Sequence, residues 1–289
     1  MPSFRDLRDR IRSLKNTQQI TKAMKQVAAA KIRRAEIAQK QARPYAETLA
    51  QMLRDLMANV GSVDHPFMKA GTSGAPTGVI LMTADKGLAG SFNSNVIRAG
   101  EIYARENTNV VWYGVGNKAR NSVRRRSEAT VNAWALSANP SKLAVAREIA
   151  AAVSADFIDG KISSVVLVSS KLVSMLSQRP ETRVLLPVAA QAQNDNAQHS
   201  GPRGAVEFEP SPEAVLSRLL PKYVEFTIFS AMLETDAAFF AAQLMAMNNA
   251  TENAGKLVDE YTVDMNKARQ TAITTELLEI VAGAEALKG

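Results

Sequence analysis

Residues 222–289 run for nearly seventy positions without a proline, and only Gly255 and Gly283 precede the terminal glycine. Within this stretch Leu244, Met247, Thr251, Ala254, Val258, Tyr261, Met265, Ala268 and Ala272 follow one another at alternating steps of three and four. That is the spacing of a coiled-coil seam with one polar member, and it predicts a partner helix. As one helix the stretch would span about 100 Å at about 1.5 Å per residue, more than a domain of this size needs to bury anything within itself. Beyond Ala272 the pattern widens. Ile273, Leu277, Leu278, Ile280, Val281, Ala284 and Leu287 cover about half the helix circumference, which predicts a tip that enters an apolar environment of its own.

Residues 3–57 predict the partner. Ser3 is placed to cap a helix whose first turn carries Asp6, where a carboxylate suits the helix dipole. Ile20, Met24, Val27, Lys31, Arg34, Ala38, Ala42, Tyr45, Leu49, Met52 and Leu56 keep steps of three and four almost throughout and are read as its seam. Lys31 and Arg34 interrupt it, but Ala28, Ala30 and Ala35 beside them permit close backbone approach while the long side chains reach outward. Pro44 predicts a kink near Arg43 and no termination, because the seam continues past it.

Between the helices the grammar changes. The loop 61–78, with Pro66, Gly71, Gly74 and Pro76, marks a boundary. Short apolar runs at 79–83, 110–113, 130–136, 164–169 and 183–187 read as strands. Helical segments at 93–105, 118–126 (a basic helix) and 141–158 lie between them. Alternation at this spacing predicts a Rossmann-like α/β domain with a largely parallel sheet. Residues 189–204 are polar and low in complexity and read as a mobile loop. The final helix starts after Pro210 and Pro212, with Ser211 as cap and Pro221 a bend. The expected architecture is an α/β insert between two long terminal helices that form an antiparallel coiled coil. The domains are 1–60, 61–210 and 211–289, and the longer final helix projects past the start of the first.

Composition narrows the chemistry. A 289-residue chain with 46% hydrophobic residues can bury a real core, and no apolar run reaches the length that spans a bilayer. No signal peptide opens the chain, and Asp6 and Asp9 weaken a transit-peptide reading, so a soluble protein made where it works is expected. There is no cysteine, which excludes disulfides and thiolate catalysis; His65 and His199 are the two histidines and read as surface residues. Residues 1–47 hold twelve Lys or Arg against four Asp or Glu, a net of +8 in a chain of net +7, so the basic character belongs to this one segment. A basic helix fits nucleic acid or an acidic membrane, but this one lacks interleaved aromatics and carries a seam; an acidic protein partner and a solvated face are the other readings.

The turn Asp85-Lys86-Gly87-Leu88-Ala89-Gly90 follows a strand and precedes a helix, where an α/β protein cradles a phosphate. It matches neither dinucleotide-binding nor P-loop spacing, and the Gly114-Val115-Gly116 turn also stops short of a fingerprint, which favours a structural turn in which Asp85 and Lys86 serve a surface contact. No metal cluster, paired carboxylates or activated nucleophile stands out, so no cofactor and no independent enzyme activity is expected. An α/β nucleotide-binding protein with helical arms and a basic coiled-coil protein that binds nucleic acid are the alternative readings.

Four stretches carry a specific resemblance: ITKAMKQVAAAKIRRAE from Ile20, ARPYAETL from Ala42, TADKGLAGSFN from Thr83 and NKARQTAITTELLEIVAGAEAL from Asn266. Together they make the chain resemble, over essentially its whole length, the gamma subunit of the F-type ATP synthase, the rotor of the central stalk. Ala89 stands where many relatives have cysteine, and the cysteine-bearing insertion of the light-regulated chloroplast form is absent. The resemblance implies a non-catalytic subunit whose helix pair stands within a ring of three alpha and three beta subunits. Its α/β domain would form a foot on epsilon and the membrane c-ring, without nucleic acid. It implies a peripheral location at the cytoplasmic face of the bacterial inner membrane, reached only through the complex. By motif, Met24 and Lys25 match the family's collar position on the first helix. Arg269, Gln270, Thr274 and Glu276 match positions near polar or acidic loops of the beta subunits, and Asp85, Lys86, Gly87 and Gly90 form the foot turn.

Overall fold

The computed structural model describes residues 3–59, 65–107, 109–125, 130–136, 141–188 and 211–286. The loop expected at 189–204, Arg126 at the end of the basic helix, Leu287 of the tip and His199 lie outside them. In chain order the elements are α1 (Phe4–Asn59), β1 (Thr77–Met82), α2 (Phe92–Glu106), β2 (Val110–Val115), α3 (Asn117–Arg124), β3 (Thr130–Trp134), α4 (Lys142–Ile158), β4 (Ser164–Ser174), β5 (Ser177–Leu186) and α5 (Pro212–Ala286). They divide into two compact units, Met1–Ala28 with Leu244–Gly289, and Ala29–Gln243. Both long helices take part in both units.

The larger unit is built on a five-stranded sheet of order β3-β2-β1-β4-β5, parallel except for the final β4–β5 pair. Alternation along the strands feeds two cores. Ile80, Met82, Tyr113, Val115, Val165 and Leu167 face one side, where they pack with α4, with Leu53 and Leu56 of α1 and with Leu216 to Met232 of α5. Val79, Leu81, Trp112, Val166 and Val168 face the other, under α2 and α3. Burial on both faces is why β1 reads as a continuous apolar run.

The last two strands are longer than their apolar runs suggested. β4 and β5 form a hairpin whose register extends out to Ser174 opposite Ser177, although 169–182 is largely polar. β5 is an edge strand, so Pro180 sits in it without depriving a neighbour of a ladder hydrogen bond.

Ser3 and Ser211 cap helices as expected, and Ser141 caps α4. Ser3 Oγ accepts from Asp6 N–H at 3.2 Å while Ser3 N–H donates to Asp6 Oδ2, a reciprocal box that holds the Asp6 carboxyl below its ordinary range. Ser141 and Ser211 accept from Ala144 and Ala214 N–H. α1 runs through Pro44 and α5 through Pro221 without termination. His65 is a cap as well: its Nδ1 accepts from Phe67 N–H at 3.1 Å, and burial pushes its pKa down, which keeps that nitrogen free to accept.

In the smaller unit the two helices pair antiparallel. Lys25 donates to Asn248, Thr21 meets Thr251, and Gln18 lies beside Gly255, so each step back along α1 is a step forward along α5. On α5 the seam is the expected one as far as Ala268, with Met247, Ala254 and Val258 buried and Thr251, Tyr261, Met265 and Ala268 half-buried, whereas Ala272 is exposed. On α1 the expectation is one residue out of register at Ile20 and Val27. Up to Ala28 the buried and half-buried positions are Phe4, Leu7, Ile11, Leu14, Gln18, Thr21, Met24, Lys25 and Ala28, so Met24 is on the seam as expected, whereas Ile20 and Val27 stand 60% and 52% exposed. In the larger unit the expectation is met in part: Leu49 and Leu56 are buried and Ala38 and Ala42 half-buried as expected, whereas Ile32 and Leu53 are buried beside the expected Lys31 and Met52, and Tyr45 and Met52 are exposed. At Thr21 and Ala28 the contact is made by small side chains, and the neighbouring Ile20 and Val27 lie on the outer face.

Candidate functional site

Six of the residues singled out in the sequence lie in the smaller unit. Met24 and Lys25 are half-buried on α1; Arg269, Gln270, Thr274 and Glu276 are exposed on α5. Lys25 is committed to the partner helix: its Nζ donates to Asn248 Oδ1, and Asn248 Nδ2 in turn donates to Glu252 Oε1 at 2.6 Å. A lysine anchored this way presents its stem, beside Met24, more than its charge. Thr274 Oγ1 donates to Gln270 O one turn back, which fixes its hydroxyl on the helix surface.

Gln270 and Thr274 line one side of an open cleft of about 1000 Å³, with Thr271 and Thr275 beside them; Ser3, Phe4 and Leu7 from the start of α1 form the other side. The start of α1 therefore lies against residues 264–275 of α5. Sequence reasoning missed this cleft, although the α1 seam counted from Phe4 points to it. α5 continues alone to Ala286, and its apolar residues there are uncovered: Ile273, Leu277, Leu278, Ile280 and Val281 are 47–63% exposed. A single helix with such a face requires an apolar socket supplied from outside the chain.

The turn at Asp85, Lys86, Gly87 and Gly90 lies in the larger unit. Thr83 Oγ1 accepts from Ala119 N–H at 2.7 Å, and Asp85 Oδ1 accepts from Asn117 N–H at 2.8 Å and Leu136 N–H at 3.2 Å. The N-terminal amides of α3, the natural anion site of such a turn, are thus occupied by the chain's own carboxylate and hydroxyl. Asn93 closes the loop, accepting from Ala84 N–H and donating to Lys86 O. Gly90 takes φ 56°, and Leu88 at φ 61° holds its side chain out to solvent. Lys86 is exposed beside it. The turn is a built joint between β1, α2, α3 and the end of β3, and its outer edge is Lys86 and Leu88.

Among the described residues no cluster of His, Asp or Glu could hold a metal ion, and no helix is long and apolar enough to cross a membrane.

Residues 3–287 match the ATP synthase family model. The chain is 42% identical to the ATP synthase gamma chain of Heliobacterium modesticaldum, covering 99% of this chain and 100% of that one. Its fold is similar to the rotor in a structure of the Euglena gracilis mitochondrial ATP synthase, rotational state 1 (TM-score 0.65, 20% identity, 93% of this chain and 98% of that one). It is also similar to a chain of the central stalk and c-ring of the Tetrahymena thermophila mitochondrial ATP synthase (TM-score 0.60, 23% identity, 80% of this chain and 99% of that one). By the family model and the full-length identity, the chain belongs to the ATP synthase gamma chain family.

Proposed function

We propose that this gamma chain is the non-catalytic rotor of the central stalk, carrying rotation between the membrane c-ring and the catalytic beta subunits. The observation that carries the proposal is the asymmetric helix pair of the smaller unit, in which α5 outruns α1 and ends in an uncovered apolar face. Such a tip suits an apolar bearing in a ring of alpha and beta subunits. A shaft without threefold symmetry offers each of three identical catalytic sites a different surface, which biases them toward different affinities for ADP, phosphate and ATP. The c-ring supplies the work, about 2.3 kcal/mol per charge per 100 mV of membrane potential.

In this division of labour residues 1–60 and 211–289 form shaft and tip, and residues 61–210 form the foot that meets epsilon and the c-ring. The chain reaches the cytoplasmic face of the membrane only through the complex. Met24 with the stem of Lys25, and Arg269, Gln270, Thr274 and Glu276, face the beta subunits. The guanidinium and amide of Arg269 and Gln270 are free to make charge-assisted bonds to carboxylate-bearing loops. Asp85, Gly87 and Gly90 shape the foot turn that presents Lys86 to a neighbouring subunit.

Arg269→Ala with Gln270→Ala tests the contact. The double variant is expected to lower coupled ATP synthesis by about tenfold, the loss of one or two charge-assisted hydrogen bonds, while the isolated chain keeps its fold because both side chains are exposed. Wild-type assembly and synthesis in that variant would remove these residues from the interface.

A further inference from the structure

The basic helix α3 is not used by the rotor reading. It carries Lys118, Arg120 and Arg124, with Arg125 at its C-cap, and no carboxylate; α2 beside it adds Arg98 and Arg105 against Glu101 and Glu106. Ala119 and Val123 of α3 are buried against the sheet, so the amphipathic pattern turns the cations outward, and all of them are exposed. Among the described residues Arg98, Arg120 and Arg124 have no carboxylate partner. Unneutralised like charges on adjacent helices repel one another, and an anion placed between them relieves the repulsion.

The structure offers a place for one. An open cleft of about 570 Å³ lies between α2 and α3, with Ser94, Arg98 and Glu101 on one wall, Ser122 and Arg125 on the other, and Ile97 among its lining residues. Arg125 is oriented by its own Nε–H, which donates to Asn121 O at 3.1 Å and leaves the two terminal amino groups available. Two guanidinium groups and two hydroxyls at one cleft form the donor set that a tetrahedral oxyanion takes: planar forks match paired phosphate oxygens, and hydroxyls supply the remaining donors. Glu101 is already engaged within the protein, and its charge lowers the affinity the arginines would otherwise give.

We propose that the α2–α3 cleft is a phosphate-binding site in which Arg98 and Arg125 grip the phosphate and Ser94 and Ser122 donate to it. The phosphate group is the shared chemistry of two sources, a soluble phosphate and a phospholipid headgroup.

The full-length chain is tested against inorganic phosphate by calorimetry, and against phosphatidylglycerol and phosphatidylcholine vesicles by flotation. At least one phosphate probe binds the wild type saturably. Arg98→Gln with Arg125→Gln weakens that binding by about tenfold or more, and Glu101→Gln strengthens it. Binding of inorganic phosphate identifies a soluble source; recruitment to phosphatidylglycerol vesicles alone identifies the headgroup. Arg120→Gln with Arg124→Gln removes the same charge from positions of α3 that do not line the cleft and weakens binding clearly less than the cleft pair does. All four arginines are exposed, so circular dichroism of both double variants matches the wild type. The site is refuted if neither probe binds saturably, or if the two double variants bind alike.

Discussion

Thr251 Oγ1 and Thr21 Oγ1 lie 2.8 Å apart, joining the two terminal helices through a pair of hydroxyls at the centre of their seam. Thr21 is buried, and Lys25, one turn along, donates to Asn248. The two polar pairs define one register, with Thr21 opposite Thr251 and Lys25 opposite Asn248, and each threonine hydroxyl also donates to its own helix, Thr21 to Gln18 O and Thr251 to Met247 O.

A pair of engineered thiols reads that register directly in a chain that contains no cysteine. Thr21→Cys with Thr251→Cys is expected to oxidise in high yield, since bridging requires Cα atoms within about 7 Å and hydroxyls in contact place the side chains for it. Ile20→Cys with Thr251→Cys is expected to bridge poorly, because Ile20 points outward. The first bridge joins rotor to rotor and should leave synthesis and hydrolysis by the complex largely intact. Equal yields from both pairs would contradict the register.

The joint at the foot turn is expected to be intolerant at two positions. Gly116 has φ 88°, and a Cβ there would stand 2.1 Å from Thr83 O, so Gly116→Ala must displace backbone and should cost more than about 2 kcal/mol. Asp85→Ala leaves the amides of Asn117 and Leu136 without their acceptor and should cost about 1–3 kcal/mol. Denaturant midpoints of the isolated chain measure both. Because Asp85 fills the anion position, wild-type chain should show no micromolar binding of ATP at this turn by calorimetry.

The larger unit carries a pH dependence at Glu234 of α5. Burial raises its pKa above the ordinary 4.5, the charge of Glu181 on β5 adds to the effect, and Lys171, Arg183 and the Leu172 backbone N–H oppose it. A carboxyl whose folded-state pKa is raised gives up its proton first in the unfolded chain. Stability therefore falls as pH rises through the unfolded value towards the folded one, and stays lower above it. Glu234→Gln should raise the thermal midpoint at neutral pH, with the gain vanishing as pH drops below 4.5. A gain that is independent of pH would show that the carboxylate charge is not the cause.

The α/β insert and the α5 seam were legible because burial there is decided locally: strands buried on both faces are continuously apolar, and Met247, Ala254 and Val258 repeat with the helix. The α1 seam was legible at Met24, Leu49 and Leu56 but not at Thr21 and Ala28, because Ile20 and Val27 beside them are the more apolar on a hydrophobic scale. The outer half of β4–β5 was invisible because its residues are polar and its order comes from the cross-strand ladder. The role of Asp85 depends on Asn117 and Leu136, which only the sheet topology brings to it.

The rotor reading predicts that the face around Gln270 moves past the beta subunits. A cysteine at Gln270, oxidised to a cysteine on the facing beta loop, joins rotor to stator, and steady-state ATP synthesis by the assembled complex is measured before oxidation, after it and after reduction. Synthesis should stop with the bridge and return when it is reduced. Undiminished synthesis at high bridge yield would mean that this region does not turn relative to the ring, and would contradict the rotor mechanism.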